Sequence, residues 1–439
     1  MTRVVFIGAG SVVFTRQLVT DLLRFPDLPT IDLVLHDVDP ERLSVARGTA
    51  EQVSRRLGRP VRIEATLERR AALAGADFVV NMVQVGGLAS TRIDLELPAS
   101  FGLRQVIGDT TGIGGIFRGL RTFPVLSQIA KDMAELCPDA IFLNYTNPMA
   151  MNVWWMSKVA PQLTTVGLCH SVYWTVNDLC ALIGVPLQGT TYRAAGVNHQ
   201  SWLYEWSRDG EDLYPRLREA IAADPQLERR VRVEMFRRIG YYPTETSEHS
   251  SEYLSWFLRS DEQIEQFRLQ PLEYLGISEQ NYAEFESARS ALESGSDIEL
   301  HEEGDAAEYA PQIIHSMVTG VEREIHANVV NRGLISNLPE GAVVEVPTTV
   351  SAAGLAPIAV GSVPLQGAVH NRTYLSVAEL TVEAALTGNR DLVKQALLVD
   401  PNASSTLTPA RLWELADAMF EAHADVLPTS LGGRVELLL

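Results

Sequence analysis

The strand and turn at the N-terminus constrain the fold of this chain more than any other feature. Arg3 to Ile7 is a short apolar run rich in β-branched residues, which predicts a buried parallel strand. The run ends in the turn Gly8-Ala9-Gly10-Ser11, and a helix is predicted from Phe14 to Phe25. Glycines between a strand and a helix let the backbone approach a pyrophosphate at the helix N-terminus. The segment therefore predicts a dinucleotide site.

An acidic strand end agrees with that prediction. Ile31 to Leu35 is a second predicted strand, and His36-Asp37-Val38-Asp39 follows it. In NAD-binding domains an acid at this place binds the ribose hydroxyls of the adenosine and disfavours a 2′-phosphate. Asp39 is the alternative to Asp37, and a purely structural turn is the alternative interpretation because Val13 replaces the third glycine of the usual fingerprint. The residues predicted to bind NAD are Gly8, Gly10, Ser11 and Asp37.

Strand and helix patterns alternate through the first half of the chain. Asp77 to Val83 is a third predicted strand, and the β-α-β-α-β order is typical of a doubly wound parallel sheet. Ala140 to Leu143 and Thr164 to Leu168 extend the pattern. Thr190 to Val197 and Ser201 to Trp206 then read as antiparallel strands, which marks a change of architecture.

These patterns predict an α/β fold with two domains. The first, over residues 1–196, is a Rossmann-like NAD-binding domain with a doubly wound parallel sheet. The second, over residues 197–439, is a mixed α+β domain that would bind the substrate and form oligomer contacts. It is mostly helical and more charged, with one helix predicted over Asp305 to Val318.

Composition bears on partners and compartment. The chain has 439 residues, 36 Lys and Arg against 55 Asp and Glu, and a formal net charge of −19 without a basic cluster. This balance argues against nucleic acid or an anionic membrane as the main partner. Three cysteines give no disulfide framework and indicate a reducing compartment. No apolar run reaches the ~18 residues of a membrane span, and the N-terminal run lacks a signal-peptide cleavage site, so we expect a cytoplasmic protein.

Two strand ends carry side chains that bind transition metals. Gly167-Leu168-Cys169-His170-Ser171 follows one predicted strand, and Asn198-His199 follows another. Thiolate and neutral imidazole are both good ligands for borderline divalent metals, and open α/β sheets place their ligands at the carboxyl ends of strands. Taken singly, Cys169 or His199 is more often a core residue. The residues alone leave the metal site and the packing interpretation open.

Two further stretches carry groups that could touch a substrate. Asn144 and Asn147 flank a strand end before Pro148, where their amides could contact sugar hydroxyls or nicotinamide, or could simply cap a helix. The stretch Thr244 to Tyr253 is dense in titratable and hydroxyl groups. It could deliver a general base, or it could be a solvated loop and helix start with Thr246 or Ser247 as N-cap.

Taken in order along the chain, these motifs resemble glycoside hydrolase family 4. The Cys-His-Ser sequence at the metal motif is most similar to the melibiase-type bacterial α-galactosidases, whereas the phospho-glycosidase branches more often have Cys-Asp or Cys-Asn. The segments that carry the resemblance are Phe6 to Ser11, Asn144 to Asn152, Gly167 to Val172, Ala195 to His199, Gly240-Tyr241, Thr244 to His249 and Gly333 to Pro339.

The resemblance implies an NAD-dependent exception to ordinary glycosidase chemistry. NAD and a divalent metal, usually Mn²⁺, would be the cofactors. Hydride leaves C3 of the sugar, the resulting ketone acidifies the C2 proton, and a base removes that proton. The C1–O bond then breaks with protonation of the leaving oxygen, water adds, and the hydride returns. The expected substrate is a small α-galactoside, and the expected assembly is a homodimer or homotetramer.

The resemblance also assigns roles. Cys169 and His199 match the metal ligands, His170 matches the acid at the leaving oxygen, and Asn147 matches a substrate-binding asparagine. Asp109 matches an acid thought to raise the basicity of the base, and Asn144 is taken as a cofactor contact. The residue that removes the C2 proton stays open: Tyr253 is favoured by analogy, Glu245 is next, and His249 lies in the same stretch.

Rival functions are kept beside this one. An α-glucosidase or α-galacturonidase would differ by one contact to C4 or C6, and Arg92 or Arg332 in the cleft would favour an acidic or phosphorylated sugar. An NAD-dependent 2-hydroxy acid dehydrogenase would use the same nucleotide half, need no metal and consume NAD. A nucleotide-sensing binding protein would leave Cys169 and His199 without a role.

Overall fold

The computed structural model describes residues 1–300 and 308–437. Within these residues the strands form one 13-stranded mixed sheet. The strands are β1 Arg3–Ile7, β2 Asp32–His36, β3 Arg62–Thr66, β4 Phe78–Asn81, β5 Ile141–Asn144, β6 Thr164–Leu168, β7 Thr190–Val197, β8 Gln200–Arg208, β9 Glu211–Asp212, β10 Tyr242–Pro243, β11 Arg323–Val330, β12 Val343–Ser351 and β13 Gly354–Pro357.

Helices fill most of the connections. They are α1 Val12–Arg24, α2 Pro40–Arg56, α3 Arg69–Leu73, α4 Gly87–Ser100, α5 Gly112–Leu136, α6 Met149–Val159, α7 Ser171–Leu182, α8 Tyr214–Ala223, α9 Val231–Ile239, α10 Ser247–Glu252, α11 Asp261–Phe267, α12 Glu273–Ser294, α13 Tyr309–Thr319, α14 Leu365–Thr387, α15 Arg390–Val399, α16 Pro401–Thr406 and α17 Pro409–Ala422. The start of the helix predicted over Asp305 to Val318 lies outside the described residues. Among the described helices, none is long and apolar enough to cross a membrane.

The parallel half of the sheet has the strand order β3-β2-β1-β4-β5-β6, which is the order of the dinucleotide-binding fold. Val4, Val5 and Phe6 are each at most 1% exposed. Successive side chains of a strand point to opposite faces, so both faces of the sheet are covered at β1. The predicted α/β fold with a doubly wound parallel sheet is confirmed.

One strand of this half, β3, was not predicted from the sequence. β3 pairs with β2 alone, at the edge of the sheet, and its five residues are exposed or half-buried. An edge strand does not need the continuous apolar run of a central parallel strand. Because Arg62 and Glu64 interrupt any apolar run in this segment, the hydrophobic pattern did not predict β3.

The antiparallel half continues the same sheet in the order β6-β11-β12-β7-β8-β10. Leu168 of β6 pairs with Ala327 of β11, so backbone pairing joins the two halves. The predicted strands on either side of Asn198-His199 are confirmed as the hairpin β7–β8. The division at residues 196 and 197, which stays a prediction, would fall in the last residues of β7.

A row of paired residues crosses the middle of the sheet and positions the metal candidates. Gly167 of β6 pairs with Asn328, Asn328 pairs with Glu345, and Glu345 pairs with Gly196 of β7. Cys169 follows β6, and His199 lies in the two-residue turn between β7 and β8. The row therefore links the strand that precedes Cys169 to the hairpin that carries His199.

Candidate functional site

The turn after β1 has no room for side chains. Gly8 has φ +84°, and a Cβ there would lie 2.9 Å from the backbone nitrogen of Val83. A Cβ on Gly10 would lie 2.6 Å from Oδ2 of Asp37, because the Gly10 N–H donates to that oxygen at 2.7 Å. Ser11 precedes α1, is exposed, and makes no capping bond with its side chain. This close-packed turn at a helix N-terminus fits the phosphates of a dinucleotide.

The two candidate acids after β2 have different roles. Asp39 caps α2, since its Oδ1 accepts the N–H of Glu41 at 2.9 Å and of Arg42 at 3.1 Å. Oδ1 of Asp37 accepts only the N–H of Asp39, at 3.0 Å, and Oδ2 accepts the Gly10 N–H. A carboxylate with two singly used oxygens keeps acceptor capacity for ribose hydroxyls. Asp37 therefore suits the predicted ribose contact better than Asp39.

The side chain of Asn144 is hydrogen-bonded within the protein, at the end of β5. Its Nδ2 donates to the carbonyl of Thr146 at 2.9 Å, and its Oδ1 accepts from Nδ2 of Asn81 at 2.8 Å. The side chain is 1% exposed. Both ends of the amide are thus satisfied within the protein, which favours the turn-stabilising interpretation over direct contact with a cofactor.

Three side chains form a group that could hold a metal ion. Ligand atoms of Cys169, His199 and Glu245 all lie within 4.8 Å of one another. That spacing suits a common ion at the usual ~2.0–2.3 Å from sulfur, nitrogen and oxygen ligands. Cys169 and His199 are the two metal ligands predicted from the sequence. Glu245, which the sequence suggested as a candidate base, lies with them in this group.

The backbone is constrained where two of the donors stand. His199 has φ 62° and Glu245 has φ 72°. Positive φ is uncommon for residues other than glycine, and such conformations persist where the surrounding structure fixes them, often at functional sites. Thr246 is the N-cap of α10, accepting the His249 N–H at 3.3 Å. The capping interpretation of this stretch is thus compatible with a functional role for its neighbour Glu245.

The electrostatics of the donor group suit a cation. Burial, reinforced by the negative charges of Glu245 and Glu345, raises the pKa of the Cys169 thiol. Burial, and after it the charge of His249, lowers the pKa of His199 to about 4, which keeps the imidazole neutral and able to coordinate. A metal ion would supply the positive charge that favours the thiolate. The chemistry of the donor set therefore fits a divalent transition metal.

Asp109 and Thr110 orient the ring of His199. The Thr110 hydroxyl donates to Oδ1 of Asp109 at 2.6 Å and lies 3.3 Å from Nδ1 of His199. This contact leaves Nε2 as the ring nitrogen available to a metal. The Nδ2 amide group of Asn147 donates to Oδ2 of Asp109 at 2.9 Å, while its buried Oδ1 has no partner in the part of the chain that the structure describes. Asn147 is therefore held in place with a free acceptor for a substrate hydroxyl.

The candidate bases occupy different surroundings. The hydroxyl of Tyr253 donates to the Asn198 carbonyl at 3.0 Å, and burial raises the pKa of Tyr253 well above its ordinary value. The ring of His249 lies 4.2 Å from that of His199. Its Nδ1 is 3.9 Å from Oδ1 of Asp109 and has no hydrogen-bond partner among the described residues. Tyr253 must lose the proton that it donates to Asn198 before it can act as a base. The charges of Glu245 and Asp109 raise the pKa of His249 against the effect of burial, which favours its protonated form.

The predicted acid, His170, stands at the N-terminus of α7 and is 8% exposed. Its Nδ1 lies 3.4 Å from Oε1 of Glu308, and its buried Nε2 has no hydrogen-bond partner within residues 1–300 and 308–437. Sequence reasoning did not single out Glu308, because this contact joins segments far apart in the chain.

Arginine placement bears on sugar specificity. Arg92 forms exposed ion pairs with Glu96 and Glu279, and Arg332 is exposed. Arg232, which the sequence analysis did not consider, instead donates to the Thr175 hydroxyl at 3.0 Å. The same hydroxyl accepts the Glu245 N–H at 3.1 Å. Arg232 is therefore a cation close to the donor group, and its charge acts on Glu245.

Known proteins that are similar to this chain identify its family. The family model described as Family 4 glycosyl hydrolase matches residues 3–185, and its C-terminal domain matches residues 194–403. An alpha-galactosidase of Bacillus subtilis (strain 168) is 40% identical over 98% of this chain and 99% of its own length. The chain belongs to glycoside hydrolase family 4.

Other members of family 4 differ in their named substrates. An alpha-galactosidase of Rhizobium meliloti (strain 1021) is 34% identical over 97% of this chain and 89% of its own. An alpha-glucosidase of Erwinia rhapontici is 29% identical over 91% of this chain and 93% of its own. A solved 6-phospho-alpha-glucosidase from gut microorganisms, in complex with NAD and Mn²⁺, superposes with a TM-score of 0.84 at 21% identity, covering 97% of this chain and 99% of that one. That structure shares the fold of this family 4 enzyme.

Proposed function

We propose that this family 4 glycoside hydrolase is an NAD- and Mn²⁺-dependent α-galactosidase. The observation that carries the proposal is the donor group of Cys169, His199 and Glu245 in a chain 40% identical to an alpha-galactosidase over nearly its whole length. The glycine turn beside Asp37 fits the dinucleotide. The NAD and Mn²⁺ named for a solved structure of the same fold agree with both features.

Each cofactor would supply one part of the chemistry. NAD, held at Gly8, Gly10, Ser11 and Asp37, would accept and later return a hydride at C3 of the sugar. Mn²⁺, held by Cys169, His199 and Glu245, would act as a Lewis acid toward sugar oxygens.

The protein groups would then orient the sugar and move protons. Asn147 offers its free Oδ1 to a sugar hydroxyl while Asp109 fixes its amide. His170 would protonate the leaving oxygen, since Nε2 is its unpartnered nitrogen. The base at C2 would come from the segment that carries His249 and Tyr253, because Glu245 belongs to the donor group. The depressed pKa of Asp109, which His249 and Arg118 lower against the effect of burial, keeps a negative charge beside His249.

The activity test uses p-nitrophenyl α-galactoside with NAD, Mn²⁺ and a thiol reductant. We expect nitrophenol release without net NADH, and loss of that release on chelation or in Cys169→Ser. A deuterium isotope effect with substrate labelled at C2 or C3 would support the redox route. Steady NADH production from a 2-hydroxy acid, with no glycoside cleavage, would instead establish the dehydrogenase and refute the proposal.

Specificity and assembly complete the proposal. The nitrophenyl α-glucoside and α-galacturonide, assayed beside the galactoside, decide between the three sugars, and Arg232 is the side chain whose charge would favour the uronide. We further propose a homodimer or homotetramer in the cytoplasm, which light scattering and cell fractionation can test.

A further inference from the structure

The side chain of His170 is buried and is held by an aromatic ring and a carboxylate. Its ring meets the ring of Tyr309 edge-on, with centroids 4.2 Å apart, which fixes the imidazole plane. Nδ1 faces Oε1 of Glu308 at 3.4 Å. Nε2 is buried and has no partner among the described residues. One ring nitrogen therefore faces a carboxylate within ion-pair distance, and the other has no partner among the described residues although a buried polar atom without a partner is costly.

Glu308 is itself held from several directions. Its Oε1 accepts from Nε2 of Gln17 at 3.2 Å, and its backbone N–H donates to Oδ2 of Asp21 at 2.9 Å. Both partners lie on α1, the helix that follows the glycine turn. Two residues on, the Ala310 N–H donates to the Tyr145 hydroxyl at 2.9 Å. The carboxylate is thus anchored to α1 and to the loop after β5, independently of the segment that carries His170.

We propose that Glu308 is the positioning residue for His170: it holds the proton of Nδ1 and so aims Nε2 at the glycosidic oxygen. This assignment rests on the proposed function, in which His170 is the acid. A carboxylate that accepts from one ring nitrogen fixes both the tautomer and the orientation of a catalytic histidine.

The proton transfer balances within this pair. As the C1–O bond breaks, its electron pair stays on the leaving oxygen, and the Nε2 proton of the imidazolium moves to that oxygen. The ring is left neutral, with its Nδ1 proton still facing Glu308. When water adds, its oxygen bonds to C1 and one of its protons returns to Nε2, while the C1=C2 π pair moves to C2, which regains its proton from the base. Glu308 neither gains nor loses a proton, so it positions the acid and is not itself the acid.

The test varies the leaving group. Glu308→Ala, Glu308→Gln and wild type are assayed with methyl α-galactoside, which needs a protonated leaving group, and with dinitrophenyl α-galactoside, which does not. We expect Glu308→Ala to lower kcat for the methyl glycoside by about 10²-fold, the lower end of what general acids contribute. The dinitrophenyl glycoside should lose far less. Glu308→Gln keeps the size of the side chain and its acceptor oxygen, so it should be affected less than Glu308→Ala.

A second measurement follows the proton at C2. In D₂O with NAD and Mn²⁺, Glu308→Ala should still exchange the C2 hydrogen of methyl α-galactoside for deuterium, because only the later bond cleavage is impaired. Glu322→Gln, which removes an exposed carboxylate just after α13, is the matched control. The increase in melting temperature that NAD and Mn²⁺ produce should be the same in all variants.

Two outcomes would overturn the assignment. Equal losses for both leaving groups, with exchange at C2 falling in parallel, would show that Glu308 only supports the structure. Unchanged hydrolysis of the methyl glycoside by Glu308→Ala would show that His170 needs no such partner. If wild type neither cleaves α-galactosides nor exchanges the C2 hydrogen, the proposed function fails, and the assignment falls with it.

Discussion

Replacing Glu245 tests the donor group, because this residue combines two separable effects. Its carboxylate lies within 4.8 Å of the ligand atoms of Cys169 and His199. Its backbone is held at φ 72°, which costs a residue other than glycine about 1–2 kcal/mol. Glu245→Gln removes the charge and keeps the backbone cost, whereas Glu245→Gly removes both. Comparing the two variants therefore separates metal binding from backbone conformation.

The two effects change stability in opposite directions: losing the ligand lowers the stabilisation by Mn²⁺, and relieving the backbone conformation raises the stability of the metal-free protein. Even partners outside the ligand shell change metal affinity by about 10- to 100-fold, so losing an anionic ligand should raise the Kd for Mn²⁺ at least about 100-fold. At about 1.4 kcal/mol per tenfold, Mn²⁺ would then stabilise either variant by about 2.8 kcal/mol less than wild type. Without metal, Glu245→Gly should be more stable than Glu245→Gln by about 0.5–1 kcal/mol, the backbone cost less the extra chain entropy of glycine.

The assay combines a Mn²⁺ titration, read from the paramagnetic resonance signal of free Mn²⁺, with thermal unfolding at each metal concentration under a thiol reductant. Glu248→Gln is the matched control, since Glu248 lies three residues on in α10 and is outside the donor group. Wild-type Mn²⁺ affinity in both Glu245 variants would refute the three-ligand group. Equal metal-free stability of the two variants would refute the account of the backbone.

Three further perturbations probe other parts of the structure. Gly10→Ala places a Cβ 2.6 Å from Oδ2 of Asp37. The Kd for NAD, measured by fluorescence titration, should therefore rise at least about tenfold, which is about 1.4 kcal/mol of binding free energy. An unchanged Kd would contradict the assignment of this turn to NAD. Deuterium exchange at C2 should fall more in His249→Gln than in Tyr253→Phe if His249 is the base, and the reverse result would return that role to Tyr253. Burial lowers the pKa of His326 to about 4, below its ~6.5 in the unfolded chain. The unfolded state alone therefore gains a proton as pH falls from about 6.5 to about 4, and stability should drop by up to about 3 kcal/mol over that window; a His326→Gln variant with the same pH dependence of melting temperature would refute this.

Local patterns sufficed for the nucleotide half of the fold. The run from Arg3 to Ile7, its glycine turn and the acid after β2 are contiguous signals, and the structure confirms the doubly wound sheet that they predict. β3 was missed because an edge strand can be polar. Asn144 carried the same local signal as Asn147, yet the pairing of Asn144 with Asn81 directs it inward.

The site could be predicted only in part, because its geometry joins distant segments. Cys169 and His199 follow recognisable strands, and their residue types are good ligands for a divalent metal, which makes a metal site a prediction from the sequence. Glu245 joins them through a left-handed backbone conformation that its sequence does not signal. The contact between His170 and Glu308 depends on the packing of α13 against α1, which no local sequence pattern reveals. The ligand set and its supports thus become visible only in the folded chain.

The pairing of Leu168 with Ala327 limits how this enzyme can move. Backbone hydrogen bonds between β6 and β11 tie the nucleotide half to the rest of the sheet immediately beside Cys169. A hinge that rocked the two halves apart would break those bonds and pull Cys169 from His199 and Glu245. Because the sheet is continuous across this junction, we expect any movement that admits a substrate to occur in the surrounding loops and not between the two halves of the sheet.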